Sequence, residues 1–136
     1  MSLFGRINYK IDRLWDNFRV RCQRFKRGWA YSDVWDMDIW FIRTVKPMLI
    51  HLRDHGISIP SEFYVDGENE RVNWENTLTE MISCLELMGE NAAREHLDIS
   101  DSDYSFESYQ KTNDFMEENK NRFFELFSKY FFDLWD

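Results

Sequence analysis

"GWAYSDVWDMDIW", residues 28–40, packs three tryptophans and three aspartates behind a glycine. Two readings compete for it: the aspartates wait for a metal ion or substrate, or one helix ends here and the next begins. Upstream, Ile11, Leu14, Trp15, Phe18, Cys22 and Phe25 recur at three- and four-residue steps. That pattern is one face of an amphipathic helix over about residues 8–26. The other face carries Arg13, Arg19, Arg21, Arg24, Lys26 and Arg27. Cations in the last turn suit the negative end of the helix dipole, and Gly28 stops the helix. Downstream, Ser32 is a good N-cap, with Asp33 and Asp36 in the first turn, where negative charge is favoured. Val34, Met37, Phe41, Val45, Met48, Leu49 and Leu52 form an apolar stripe, widened by Trp35, Ile39 and Ile42. The second helix is therefore expected over about residues 33–55, kinked or broken by Pro47. Trp35 and Trp40 are expected to wedge the junction between the two helices.

The helix-start reading extends along the chain. "GISIPSEFYVDGENERVN", 56–73, holds the irregular loop, expected over about residues 56–70. Ile57, Ile59, Phe63, Tyr64 and Val65 could form a short strand, but the Gly and Pro content argues against sheet. Trp74, Leu78, Met81, Ile82, Leu85 and Met88 mark the buried face of a third helix, about residues 71–90. "ENAAREHL" suggests a short helix, followed by the acidic linker "DISDSDYS". Phe106, Tyr109, Met116, Phe123, Phe127, Tyr130, Phe131 and Leu134 keep helical spacing over about residues 105–134, with Asn113 and Asn121 as points where it could divide. The reading is all-α: one helical domain over 1–136, a bundle of about four main helices.

Composition agrees with one folded domain. The chain has 136 residues, 43% hydrophobic and 18% aromatic, with five glycines and two prolines. Each buried aromatic removes roughly 150–250 Å² from water, so a sizeable core is available. The net charge is −8, distributed unevenly. Residues 1–30 carry eight Lys/Arg against two Asp, and residues 61–136 carry six against nineteen Asp/Glu. Cys22 and Cys84 are read as free thiols, no export signal is visible at the start, and no apolar run reaches the roughly 20 residues of a membrane span. A cytoplasmic protein is expected.

"HLRDH" sets His51 and His55 four apart on one helix face, where two imidazoles can chelate one ion. The metal candidates are His51, His55, Asp33 and Asp36. A third ligand must come from elsewhere, and the HExxH glutamate is missing. Asp33, Asp36 and Asp38 lack calcium-loop spacing, because on a helix Asp38 points away from Asp36. There is no G-x-S-x-G, P-loop or G-x-G-x-x-G. No catalytic residue, metal or other cofactor is assigned. The basic first helix could contact phosphates or an anionic membrane surface, or face the acidic helices. The overall negative charge disfavours nucleic acid. In "RFFELFSKYFFDLWD" one face can bury only about half of the rings, and the rest would form an exposed patch suited to homodimerisation.

"RFKRGWAYSDVWDMDIWFIRTVKPMLIHLRDHGISIP", then "WENTLTEMISCLE" and "FELFSKYFFDLW", resembles small proteins encoded by bacteriophages and prophages of low-GC Gram-positive bacteria, a group without an established activity. The resemblance rests on Gly28, Ser32, Asp33, Trp35, Asp38, Pro47, Leu49, Leu52, Gly56, Pro60, Trp74, Leu78 and Met81. It implies expression inside an infected or lysogenic bacterial cell and supplies no catalytic residue. The expected function is a non-enzymatic accessory protein that binds a host or phage macromolecule, as an inhibitor or anti-defence factor. Its contact candidates are Tyr31, Asp33, Asp36, Asp38, Arg43, His51 and His55. The alternatives are a small metal-dependent enzyme using His51, His55 and aspartates, and a structural subunit dimeric through the C-terminal aromatic helix. Asp38, between large apolar residues past the expected first turn, calls for a partner, an arginine from helix 1.

Overall fold

The structure, a computed structural model, describes residues 3–65 and 69–135, the side chains of 3–10 and 65 excepted. Among the described residues five α-helices follow in order: α1 (Leu3–Arg27), α2 (Met37–His55), α3 (Glu70–Leu87), α4 (Glu90–His96) and α5 (Phe106–Lys129). Tight 3₁₀ turns occupy Tyr31–Val34, Ser61–Val65 and Phe131–Asp133. No strand occurs among the described residues. The all-α expectation holds. Residues 66–68 of the loop and the Val65 side chain lie outside the described residues. The chain, read from its sequence as one helical domain, gathers into two compact units, Met1–Phe41 and Ile42–Asp136, divided inside α2.

In the first unit, Gly28 ends α1 at φ 78°, and its N–H donates to the Arg24 carbonyl at 2.8 Å. This is the single-bond left-handed helix stop that glycine adopts without a Cβ penalty. The second helix starts later than expected, at Met37 rather than at residue 33. Residues 31–34 wind more tightly, with Asp33 N bonded to the Ala30 carbonyl at 3.0 Å and Trp35 N to the Ser32 carbonyl at 3.3 Å. The Asp36 carbonyl takes the first bond of α2, from Trp40 N at 3.0 Å, so Asp36 and not Ser32 stands at the N-cap.

The apolar face of α1 departs furthest from expectation. Ile11, Leu14, Trp15, Phe18 and Phe25 are exposed, Phe25 to 93%, and Cys22 is half-buried. Periodicity identifies an apolar face; it does not supply what lies against it.

In the second unit α2 runs through Pro47 without a break. Proline removes one backbone bond from the ladder, while buried Leu49 and the Lys46–Glu86 ion pair, 3.2 Å, fasten the same stretch. The core is built on α3. Trp74, Leu78, Met81, Ile82 and Leu85 are buried, as their spacing predicts. α3 packs on α5, α4 packs on both, and the Ser61–Val65 turn packs on α3. From α5 come Thr112, Phe123 and Leu126, and from α4 Ala93. Phe106 and Tyr109, expected on the buried stripe, are exposed, because the core reaches α5 only from Thr112 onward. α5 passes Asn113 and Asn121 undivided and ends at Lys129. Buried Tyr130 then meets Trp74 edge-on at 5.3 Å and stacks on Phe63 at 5.8 Å. Its hydroxyl donates to Glu62 at 2.5 Å, and Lys129 reaches both, Tyr130 Oη and Glu62 Oε1 at 2.9 Å each. The Tyr130 and Lys129 hydrogen bonds hold the Glu62 carboxyl below its usual range.

The expected short helix is α4, and its end is made by backbone geometry. Asp98 sits at φ 55°, with its N–H on the Glu95 carbonyl (3.1 Å) and the Ile99 N–H on the Arg94 carbonyl (2.9 Å). This bond pair is the Schellman stop, normally completed by glycine. Asp98→Gly is therefore expected to stabilise the chain by about 0.5–1 kcal/mol, read as a higher urea midpoint with unchanged m.

Asp103 organises the turn that follows. It accepts from Ser108 Oγ at 2.5 Å and Ser105 N at 2.9 Å, and Arg94 donates to its carbonyl at 2.8 Å. The Ser108 hydroxyl first, then the Ser105 amide, pull the Asp103 carboxyl down to about 2. The folded value lies below the unfolded value, about 3.9. Its stabilisation is thus complete above about pH 4 and is lost as pH falls through 2. An NMR titration of the Asp103 carboxyl should show this low midpoint, and Ser108→Ala should raise it.

Candidate functional site

The opening stretch folds back onto the last turns of α1. Asp33 accepts a fork from Arg24, Oδ1 from Nη2 at 2.5 Å and Oδ2 from Nε at 3.1 Å. Asp33 Oδ2 also accepts from Ala30 N at 2.8 Å. Its side chain is 11% exposed. A two-pronged guanidinium fixes direction as well as charge, so Asp33 is a structural staple between α1 and the Tyr31–Val34 turn. Gln23 Oε1 accepts from Tyr31 N at 3.0 Å. The Arg27 guanidinium lies over the rings of Trp29 (3.9 Å) and Tyr31 (4.5 Å), a cation–π arrangement. Trp40 Nε1 reaches the Gly28 carbonyl at 3.4 Å, so Trp40 does wedge this junction. Trp35 does not; it is 89% exposed.

These contacts settle the three aspartates separately. Both Asp33 oxygens are engaged by donors, one of them cationic, an arrangement unsuited to an ion. Asp36 is exposed at the N-cap of α2. Asp38 lies in the first turn of α2, because that helix begins at Met37. The dipole accounts for its charge, and the expected pairing with an arginine of α1 is not found among the described residues. Beside them Trp29, Asp33, Val34, Met37 and Trp40 line an apolar hollow of about 270 Å³.

In the second unit His51 and His55 stack face to face, ring centres 4.7 Å apart at 19°. Both are exposed, on one side of α2 as their spacing predicts. Asp54 is held by Arg53 at 2.8 Å, and that bond keeps its carboxyl below the ordinary range. No group of three or more His, Cys, Asp or Glu is placed to hold a metal ion among the described residues. Arg43 is exposed on α2.

Next to His51 runs a larger apolar groove of about 590 Å³, lined from α2 by Val45, Pro47, Met48, Leu49 and Leu52. Phe127, Phe131, Leu134 and Trp135 line it from the C-terminal end. Phe131, Phe132 and Trp135 are exposed, and so is Met48. Of the seven contact candidates only His51 lines this groove, while Phe127, Phe131 and Trp135 belong to the ring-rich C-terminal segment expected to leave an exposed patch. The opposite wall comes from the apolar stripe of α2. No helix among the described residues is long and apolar enough to cross a membrane. Comparison with known protein families, curated proteins and solved structures gives no match.

Proposed function

We propose that the chain is a non-enzymatic accessory protein that acts by binding a protein partner along the apolar groove between α2 and the C-terminal end. The observation that carries this is the groove itself: about 590 Å³, predominantly apolar, with Met48, Phe131 and Trp135 exposed along it. Exposed apolar patches of this kind mark binding surfaces, and an amphipathic helix laid into such a groove is a recurring mode of protein recognition. The resemblance to phage- and prophage-encoded proteins supports placing that partner, host or phage, in the cytoplasm of a bacterial cell. His51 sits at the groove and is read as a contact residue.

A second copy of the chain is the other reading, favoured by the exposed Phe131, Phe132 and Trp135. Capture from bacterial lysate by the wild-type chain and by Met48→Glu/Phe131→Glu tests both. A protein retained by the wild type and lost from the variant supports the proposal. A wild-type dimer in light scattering that the variant dissolves, with no lysate protein retained, makes the occupant a second copy. Equal capture by both chains rejects the groove.

A further inference from the structure

α1 presents an apolar face that is exposed among the described residues, with charged groups ordered around it. Ile11, Leu14, Trp15, Phe18 and Phe25 stand on one side of the 25-residue helix, and all are exposed. At the α-helical pitch Arg19 and Lys26 fall along one margin of this stripe and Arg21 along the other, with Asp12 just beyond Arg19 and Asp16 and Arg13 on the opposite side. Arg24 is committed to Asp33 and Arg27 to Trp29 and Tyr31. Arg19, Arg21 and Lys26 make no ion pair or hydrogen bond among the described residues. The helix thus has an apolar floor with cations on both flanks, three of them without an ion pair or hydrogen bond among the described residues.

We propose that α1 is an interfacial helix that lies flat on an anionic lipid bilayer. Ile11, Leu14, Trp15 and Phe18 enter the acyl boundary, and Arg19, Arg21 and Lys26 meet the headgroup phosphates. An aromatic- and leucine-bearing floor with a basic, otherwise polar remainder is the pattern of helices that bind in the plane of the membrane surface. Tryptophan prefers the headgroup level. Cations on both flanks fit a charged plane, which meets the two margins at the same height. A nucleic acid would engage the cations and leave the apolar floor in water. The acidic remainder of the chain, six Lys/Arg against nineteen Asp/Glu over residues 61–136, is repelled by the same surface, so α1 alone makes the attachment. This inference is independent of the groove described above.

Co-sedimentation of the full chain with vesicles tests it. Vesicles of equal phosphatidylglycerol and phosphatidylcholine should pull the protein down, and pure phosphatidylcholine should do so at least about tenfold more weakly. High salt should weaken the anionic binding. Arg19→Glu/Arg21→Glu/Lys26→Glu and, separately, Leu14→Ser/Phe18→Ser should each cut partitioning at least about tenfold. All five positions are exposed, so circular dichroism should stay unchanged. Failure to bind anionic vesicles, equal binding to both lipids, or unchanged binding by either variant overturns the proposal. Tighter binding to random-sequence duplex DNA than to vesicles also overturns it. So does a dimer, abolished by Leu14→Ser/Phe18→Ser, that binds no vesicle.

Discussion

Phe123→Ala is expected to lower the unfolding free energy by about 3–5 kcal/mol, the range for emptying a fully enclosed aromatic site. Phe123 has no exposed surface and shares the core with Leu78, Met81 and Leu85, which are equally enclosed. Its ring stacks on Phe127 at 5.2 Å and meets Phe124 edge-on at 5.1 Å. The site is apolar, so water gains little by entering the space left behind. A domain of this size is stable by about 5–15 kcal/mol in total, so one truncation removes a large share. Phe132→Ala is the control. At 88% exposure it is a surface change, expected to stay within about 0.5 kcal/mol. Urea unfolding of both variants measures the difference. A loss below about 1 kcal/mol at Phe123 would mean that α3 and α5 do not enclose it.

Gly56→Ala is expected to cost about 1–3 kcal/mol or more, through overcrowding rather than a cavity. A Cβ on Gly56 would stand 2.3 Å from the Leu52 carbonyl oxygen and 2.9 Å from Leu52 Cδ1. The first of these neighbours is backbone and cannot rotate away. Nor can Gly56 retreat freely, because both its polar groups are committed. Its N–H donates to the Leu52 carbonyl at 2.9 Å, and its own carbonyl accepts from Arg71 Nη2 at 2.6 Å. Any movement that admits the methyl group stretches at least one of these bonds at the end of α2. Arg71→Ala in the same background distinguishes the contributions. If the Arg71 bond resists the shift, the double variant loses less than the sum of the singles.

α1 and α3 show where the sequence is legible and where it is not. Both carry apolar residues at three- and four-residue steps, and both are helices. The steps of α3 predict its buried residues almost individually, whereas the same logic on α1 marks a face that stays open. Spacing reports which side of a helix is apolar, and the cover comes from segments whose placement spacing does not encode. Capping chemistry is read in the same partial way. Asp33 does close a turn, but for Ala30 and with Arg24, ahead of the helix it was expected to start. Moving that start to Met37 then explains Asp38, whose charge has no role in a helix begun at residue 33. The groove was the least legible feature. Its walls, Val45 to Leu52 and Phe127 to Trp135, lie far apart in sequence. Only the excess of rings in the C-terminal segment hinted that part of its wall would stay in water.

The two thiols differ in a way that makes them chemically separable. Cys84 is buried in the α3 core, and burial pushes its thiol up, away from the reactive thiolate. Cys22 is half-buried, on the stripe of α1. A maleimide or iodoacetamide reagent applied to the folded chain should consume Cys22 first and reach Cys84 only when the α3–α5 core opens. The rate at Cys84 is then a clock for core opening. A dye placed at Cys22 sits on the helix whose surroundings change if a lipid surface arrives, with no residue added or removed.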